Sequence, residues 1–298
     1  MSNALQLFDI LTPFMLEGAS VRGRLVRLGP VADTILGRYD YPPHARRLLG
    51  ELLLAGAMLS ANLKQQGIFT IQVRGNGHIP LIVVDAVFGG VIRGYADVRE
   101  SSREWIREMK EYSPRALLGD GAYIAITYDP GEGQQRYQGI VALEGDSIAD
   151  ALMAYFTNSE QLDVRVKLTT TKEEPWRAGG IMIERMPSAP NDTKAIESWA
   201  YAQAVTATVT NEELIDPLLD APELLYRLFH EEGVWVYDPH PLEVGCRCSR
   251  ERITNILLGM KLEDRAHMVV DGKIDVHCQF CNKSEIFTPA EIGLSEGN

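Results

Sequence analysis

Four cysteines confined to residues 246–281 constrain this chain more than any other feature of its sequence. Cys246 and Cys248 form a C-x-C pair in GCRCSR, and Cys278 and Cys281 form a C-x-x-C pair in HCQFCN. The preceding 245 residues contain no cysteine. Residues i and i+2 of an extended segment project to the same side, and a C-x-x-C turn brings its thiols together, so both pairs can face one ion. The spacing predicts a tetrahedral zinc site with four thiolate ligands.

The segment around these cysteines is too small to fold on apolar burial alone. Residues 245–298 contain few large apolar side chains, and a unit of this size usually requires a metal ion or a disulfide. Ser249 is a candidate N-cap for a helix between the two pairs. Arg247, Arg250 and Arg252 would offset the negative charge of four thiolates. His277 is an alternative ligand, but four cysteines already complete a tetrahedral site.

Spacing does not decide whether the site is inert or responsive to oxidants. Both the C-x-C and the C-x-x-C pair are short enough to close a local disulfide, provided that the sulfurs reach the required geometry. A C-x-C pair is unusual in an inert zinc ribbon, and this favours a redox switch.

Net charge and the distribution of apolar residues indicate the class of partner and the cellular compartment. The net charge of −12 argues against nucleic acid or an anionic membrane as the main partner. The N-terminus lacks the features of a secretory signal, and the longest apolar run, LLLAGAML at 52–59, is too short to span a bilayer. We therefore expect a cytoplasmic protein, and clustered cysteines in that reducing compartment indicate metal binding or redox activity.

Residues 1–187 are predicted to form an α+β domain, a mixed core of strands and helices. Leucines at helical spacing predict a helix over 44–66 that is buried on one side. IFTIQVR, GNG and PLIVVDA predict a β-hairpin, and later segments continue with strand character. Ser147 and Asp150 form a capping-box pattern before a further helix. Strands and helices come in clusters rather than in strict alternation, which is typical of an α+β fold.

Residues 188–244 are predicted to be an acidic, metastable helical linker to the zinc-binding redox-switch domain at 245–298. The linker has 11 acidic and only 2 basic residues. Pairs of adjacent apolar residues recur along it and suit short amphipathic helices that require a partner surface. Asp216-Pro217 and Ala221-Pro222 interrupt the pattern, so no long independent helix is expected there. Such a segment should be only marginally stable on its own.

The cysteine motif and several other blocks of sequence resemble one family. CRCSRERI followed by IDVHCQFCN is similar to the redox-regulated heat-shock chaperones, which are cytosolic zinc-thiolate holdases of thirty-three kilodaltons. Further similar blocks are VRGRLVRL, RYDYP, GIFTIQVRGNG, LLGDGAYIAIT, RYQGIVALEGD, YFTNSEQL, AGGIMIERMP and LYRLFHEEGVWVYDP. Residues 99–116 match no block of that family and are interpreted as a local excursion of unknown role.

This resemblance implies a function that is not enzymatic. In the reduced protein one Zn²⁺ per chain would be held by the four cysteines, and the protein would be inactive. Oxidation would join Cys246 to Cys248 and Cys278 to Cys281, release zinc, and unfold the tail and linker. The oxidised form, a homodimer, would then bind unfolding client proteins without ATP and prevent their aggregation.

The linker carries the apolar side chains that we expect clients to contact. They are Leu214, Leu218, Leu225, Tyr226, Phe229 and Trp235, with Trp199 as a further aromatic residue. We expect this surface to be covered before oxidation and exposed afterwards, because apolar surface rimmed by charge binds unfolded chains and stays in solution.

Two other functions compete with this hypothesis. A thiol–disulfide oxidoreductase could use CQFC, but no βαβ pattern precedes the motif. A zinc ribbon that binds nucleic acid is disfavoured by the nearly neutral tail and the acidic linker.

A nucleotide site at RGNGHIP is disfavoured because the rest of a phosphate-binding motif is missing.

Overall fold

A computed structural model describes residues 7–17, 20–61, 66–131, 133–143, 145–189 and 191–294. The described chain divides into two compact units, 1–244 and 245–298. The first unit is α+β, as the sequence predicts. The second combines helices with a small hairpin. The division into domains at 187 and 244 stays a prediction.

The strands and helices of the first unit follow one another in an irregular order. They are β1 (Ile10–Leu16), β2 (Val21–Leu28), α1 (Pro30–Leu36), α2 (Pro43–Ser60), β3 (Ile68–Arg74), β4 (Leu81–Val87), β5 (Val91–Asp97), α3 (Arg103–Glu108), α4 (Pro114–Leu118), β6 (Tyr123–Asp129), β7 (Tyr137–Ala142), α5 (Ile148–Tyr155), β8 (Val164–Thr170), β9 (Ala178–Arg185), α6 (Thr193–Thr208), α7 (Asn211–Ile215), α8 (Ala221–Phe229), β10 (Val234–Val236), β11 (His240–Pro241) and β12 (Glu243–Val244).

Two sheets organise these elements. In the described chain, sheet A has the order β10-β1-β2-β9-β8, with β11 also paired to β1, and sheet B has the order β12-β5-β4-β3-β6-β7. The predicted hairpin is the antiparallel pair β3–β4. Strands β10, β11 and β12 come from the linker, so the last part of the linker pairs with both sheets of the core.

Helix α2 lies between the two sheets and is buried nearly all round. It contacts β2, β8 and β9 of sheet A and β3, β4 and β5 of sheet B. The expectation that only one side is buried is wrong, because a helix between two sheets has no face left for solvent. The helix ends at Ser60, and residues 62–65 of the predicted helix lie outside the described residues.

Residues 99–116 cover one end of α2. Ile106 is fully buried in the same apolar cluster as the helix. The Tyr112 hydroxyl donates to the buried Glu51 carboxylate at 2.7 Å, and Arg47 of α2 also pairs with Glu51. Trp105 is half-exposed and stacks on the ring of His78. The excursion thus shields a carboxylate of the central helix from water.

The linker packs its apolar residues against sheet A. Phe14, Leu25 and Ile181 of the sheet form one buried cluster with linker residues such as Leu224 and Phe229. The rings of Phe14 and Phe229 stack with their centroids 5.6 Å apart. The helices formed by the apolar pairs, α7 and α8, are short, as expected.

Two details of the linker differ from the sequence-based expectation. Pro222 lies in the first turn of α8 and so begins a helix rather than interrupting one. Helix α6, the first helix of the linker, extends over 16 residues, and Asp192 caps it by accepting a hydrogen bond from the amide of Ala195.

The second unit contains α9 (Arg250–Gly259), α10 (Leu262–His267) and the antiparallel hairpin of β13 (Ile274–His277) and β14 (Ser284–Phe287). Its buried apolar cluster is small. In the described residues it consists of Leu257, Ile274, Phe287 and Ile292. Ser249 caps α9 by accepting from the amide of Arg252 at 3.1 Å, which confirms the predicted N-cap.

Candidate metal centre

Two structurally different segments of the second unit carry the four cysteines. Cys246 and Cys248 lie in the non-helical, non-strand segment immediately before α9. Cys278 and Cys281 lie in the turn that joins β13 to β14. This turn is closed by backbone hydrogen bonds from the amide of Cys278 to the carbonyl of Lys283 and from the amide of Asn282 to the carbonyl of Cys278. Asn282 adopts a left-handed conformation, with φ of 60°.

All four sulfur atoms lie within 4.8 Å of one another. The Cys246 and Cys248 sulfurs are 3.2 Å apart, and Cys248 and Cys281 are 3.3 Å apart. The Cys246–Cys278 distance is 3.6 Å. Four sulfurs at about 2.3 Å from a tetrahedral zinc ion would be separated by roughly 3.8 Å. The donor set therefore fits one metal ion, and it is a candidate metal-binding group.

Burial and hydrogen bonding shift the pKa of three of the four cysteines. Burial raises the pKa of Cys248 and of Cys281. At Cys246 burial also disfavours the charged form, but hydrogen bonds from the Cys248 amide and from the neighbouring thiols outweigh it and lower the pKa to about 6.

His277 does not belong to the cluster of sulfurs. Its Nδ1 is 2.8 Å from the Ser284 hydroxyl, and its Nε2 contacts the side-chain oxygen of Asn282. Both ring nitrogens thus have partners on the hairpin, which favours a role in supporting the turn.

Arg250 has a different role from the one that its position in the sequence suggests. Its guanidinium group pairs with Glu285 at 3.0 Å and with Glu291 at 2.7 Å, and it lies over the ring of Phe287. Hydrogen bonds from Thr288 and Arg250 lower the pKa of Glu291 to about 2. The charge of Arg250 is thus balanced by carboxylates, and this arginine joins the start of α9 to the hairpin and the final turn. The sequence gives no signal for these distant partners.

The linker side chains expected to contact clients fall into two groups. Leu214, Leu225 and Phe229 are fully buried, and Trp199 is nearly so. Leu218, Tyr226 and Trp235 are exposed, with 88%, 65% and 57% of their surface accessible. For these last three the expectation of a covered surface is wrong. Tyr226 lies on the exposed side of α8, Leu218 lies in the turn between α7 and α8, and Trp235 lies on the edge strand β10.

Comparison with known proteins identifies the family. The family model described as Hsp33 protein matches residues 9–288. The chain belongs to the Hsp33 family. The 33 kDa chaperonin of Caulobacter vibrioides is 38% identical over 288 residues, which cover 93% of this chain and 94% of that protein. The 33 kDa chaperonin of Neisseria meningitidis is 37% identical over 295 residues, which cover 99% and 93%.

The Hsp33 fold is also recognised from a solved structure. The crystal structure of the 33 kDa chaperonin, an Hsp33 homologue, from Thermotoga maritima superposes with a TM-score of 0.80. The match covers 95% of this chain and 96% of that one at 20% sequence identity. The Hsp33 family, predicted from the cysteine motif, is thus confirmed. The chain is a chaperone of that family. In the described residues, no helix has both the length and the apolar character that a membrane span requires.

Proposed function

We propose that this chain is a redox-regulated, ATP-independent chaperone of the cytoplasm rather than an enzyme. In the reduced state Cys246, Cys248, Cys278 and Cys281 bind one Zn²⁺. Oxidation converts them into the disulfides Cys246–Cys248 and Cys278–Cys281. The oxidised form is a homodimer that binds unfolding proteins and prevents their aggregation, and nucleic acids and membranes are not its partners.

The observation that carries this proposal is the meeting of four sulfurs in a unit with a very small apolar core. Four buried apolar residues do not stabilise about fifty residues against the loss of conformational entropy. A structural zinc site contributes on the order of 10–16 kcal/mol of apparent binding free energy, so the fold of the unit depends on its thiolates.

The redox step balances for a peroxide oxidant. Each pair of zinc-bound thiolates loses two electrons and forms one S–S bond. The peroxide accepts these electrons, its O–O bond breaks, and with two protons taken up from the solvent it becomes two water molecules. Sulfurs in a disulfide are no longer thiolate ligands, so two such reactions remove the whole donor set. The Cys246 and Cys248 sulfurs are 3.2 Å apart, and those of Cys278 and Cys281 lie within 4.8 Å of each other, so the sulfurs of each proposed disulfide are close together.

The linker supplies the apolar surface for clients. Its residues Leu214, Leu225 and Phe229 are hidden against sheet A and become accessible only if the linker leaves the sheet. Leu218, Tyr226 and Trp235 are accessible already and provide a first contact. Nine units of net negative charge keep such a segment in solution when it opens.

A peroxide titration of the reduced, zinc-loaded protein tests the proposal. Zinc release, free thiols and suppression of light scattering by an aggregating client are followed together, and all three should change at the same peroxide dose. A variant with all four cysteines replaced by serine should bind no zinc and show no response to peroxide.

Treatment of the oxidised protein with a thiol reductant distinguishes the oxidation of cysteine from the oxidation of other side chains. Reduction should restore thiols, zinc binding and the inactive state, whereas it does not reverse oxidation of methionine. Zinc release without any gain in client protection would overturn the proposal.

A further inference from the structure

A fully buried cation lies on the face of sheet A that packs against the linker. Two less buried cations of β8 also face the linker: Lys167 donates to the carbonyl of Val209, and Arg165 lies over the ring of Trp199. Val21 and Leu25 of β2 belong to the buried cluster shared with the linker, and Arg27 lies on the same face by the two-residue period of the strand. Arg27 is completely buried. A charged side chain in such a position is unfavourable unless its donors are satisfied.

The partners of Arg27 are backbone carbonyls of the linker. Its Nη2 donates to the carbonyl of Glu213 at 2.5 Å, and its Nη1 donates to the carbonyls of Asp216 and Leu219. These carbonyls belong to α7 and to the turn that leads to α8. Carbonyls at the end of a helix lack partners within the helix and must be satisfied from outside.

The neighbouring strand is shaped to let the linker backbone approach. Gly179 of β9 is the direct partner of Arg27 in the sheet. A Cβ atom at this position would lie only 2.3 Å from the carbonyl oxygen of Leu214, and that contact is sterically impossible. The linker backbone therefore fits the sheet at this point only because residue 179 is glycine.

Arg27 keeps its charge when it is buried. Burial lowers the pKa of Arg27 to about 10, and the nearby carboxylates of Asp216 and Asp220 oppose this decrease. Docking the linker thus removes a guanidinium cation from water and replaces the water with three carbonyls. Undocking returns the cation to water, so this contact favours one register of the linker and still permits release.

We propose that Arg27 and Gly179 form a latch that holds α7 and the following turn on sheet A and sets how readily the linker leaves the core. The effect of the latch on client binding rests on the proposed function, whereas its effect on docking does not. Weakening the latch should release the linker while the cysteine unit is still reduced and zinc-loaded.

Arg27→Met tests the latch in the full-length, reduced, zinc-loaded protein. Methionine keeps much of the side-chain volume but leaves the three carbonyls without a donor. Hydrogen exchange measured by mass spectrometry should be at least tenfold faster at residues 211–229 and unchanged at residues 45–59 of α2. Arg27→Lys keeps one charged donor and should be intermediate. Arg115→Met removes an exposed arginine that pairs with Asp120 and should match the wild type.

Gly179→Ala provides a second, independent test. It leaves Arg27 in place but adds the Cβ that collides with Leu214, so it too should accelerate exchange at 211–229. If Arg27→Met also loses protection in α2, its core has been disturbed, and the exchange of Gly179→Ala is then the test of the latch. Linker exchange as slow as in the wild type in both variants would overturn the latch.

A separate client assay without oxidant distinguishes the latch from the proposed function. If the linker exchanges faster and the client is protected, both stand. If the linker exchanges faster but the client still aggregates, the latch stands and linker release is not what activates the protein. Unchanged linker exchange overturns the latch whatever the client assay shows.

Discussion

The linker and the cysteine unit are held in different ways, although the sequence predicts marginal stability for both. The linker shares a buried cluster with sheet A, with Trp199, Leu224 and Phe229 among its contributions. The cysteine unit has its own small cluster around Phe287 and carries the candidate metal-binding group of four sulfurs. In the proposed redox switch, oxidation of the cysteines would act directly on the cysteine unit. The linker has contacts of its own that must be overcome before it is released.

The largest expected effect is that of removing the metal from the cysteine unit. Cys281→Ser, or chelation of the reduced protein, should abolish slow hydrogen exchange in α9 and in the β13–β14 hairpin. The reason is that the metal site contributes on the order of 10–16 kcal/mol, whereas whole domains retain only about 5–15 kcal/mol of stability. Asp275→Asn, an exposed change on β13 of the same hairpin, should keep that protection.

The same experiment, resolved in time, tests the difference between the two regions. Amides of residues 250–287 should lose protection before those of residues 193–229, and heat should shorten the delay. Simultaneous loss in both regions would show that the contacts of the linker with sheet A contribute little.

The next largest effect is expected for the aromatic contact between linker and core. Phe229→Ala should reduce the free energy of unfolding by about 3–5 kcal/mol, because Phe229 is fully buried and stacks on Phe14. Tyr226→Ala is the matched control on the same helix. Its ring is largely exposed, and the change should fall within about 0.5 kcal/mol. Urea denaturation measures both, and equal losses would contradict the packing described here.

A smaller effect is expected at the start of α7. Thr210 and Glu213 form a capping box in which the Thr210 hydroxyl accepts from the Glu213 amide at 3.1 Å. Thr210→Ala should destabilise the docked linker by about 1 kcal/mol and accelerate exchange at residues 211–215. Thr210→Ser keeps the hydroxyl and should restore most of the protection. Exchange in the alanine variant as slow as in the serine variant would argue that the cap contributes little and that the contacts of α7 with sheet A hold it in place.

The smallest effect is expected for an ion pair on the exposed side of α8. Arg227 and Glu223 are four residues apart and 2.5 Å from one another at their closest atoms, and both side chains are about half exposed. Arg227→Ala should change the free energy of unfolding by only about 0.3–0.5 kcal/mol, and 1 M salt should remove the difference from the wild type. A loss comparable with that of Phe229→Ala would overturn the view that apolar burial holds the linker.

Local sequence patterns were sufficient to predict several features of the fold. The alternation in 68–86 predicts the β3–β4 hairpin, and Ser147 and Ser249 cap the helices that follow them. These features depend on neighbours in sequence, whose geometry is fixed by the short connection. The burial of α2 on all sides was not predictable in this way, because it depends on two sheets assembled from strands far apart in the chain.

The sequence by itself determined the family and the grouping of the thiols, because the spacing of C-x-C and C-x-x-C limits where the sulfurs can lie. Only the tertiary structure decided which linker side chains are hidden, with Leu225 buried and Leu218 exposed. Tertiary structure also decided that Arg27 is covered by linker carbonyls and that Arg250 pairs with carboxylates. These outcomes require long-range contacts, and the free energy of a charged or apolar side chain depends on what surrounds it rather than on its neighbours in sequence.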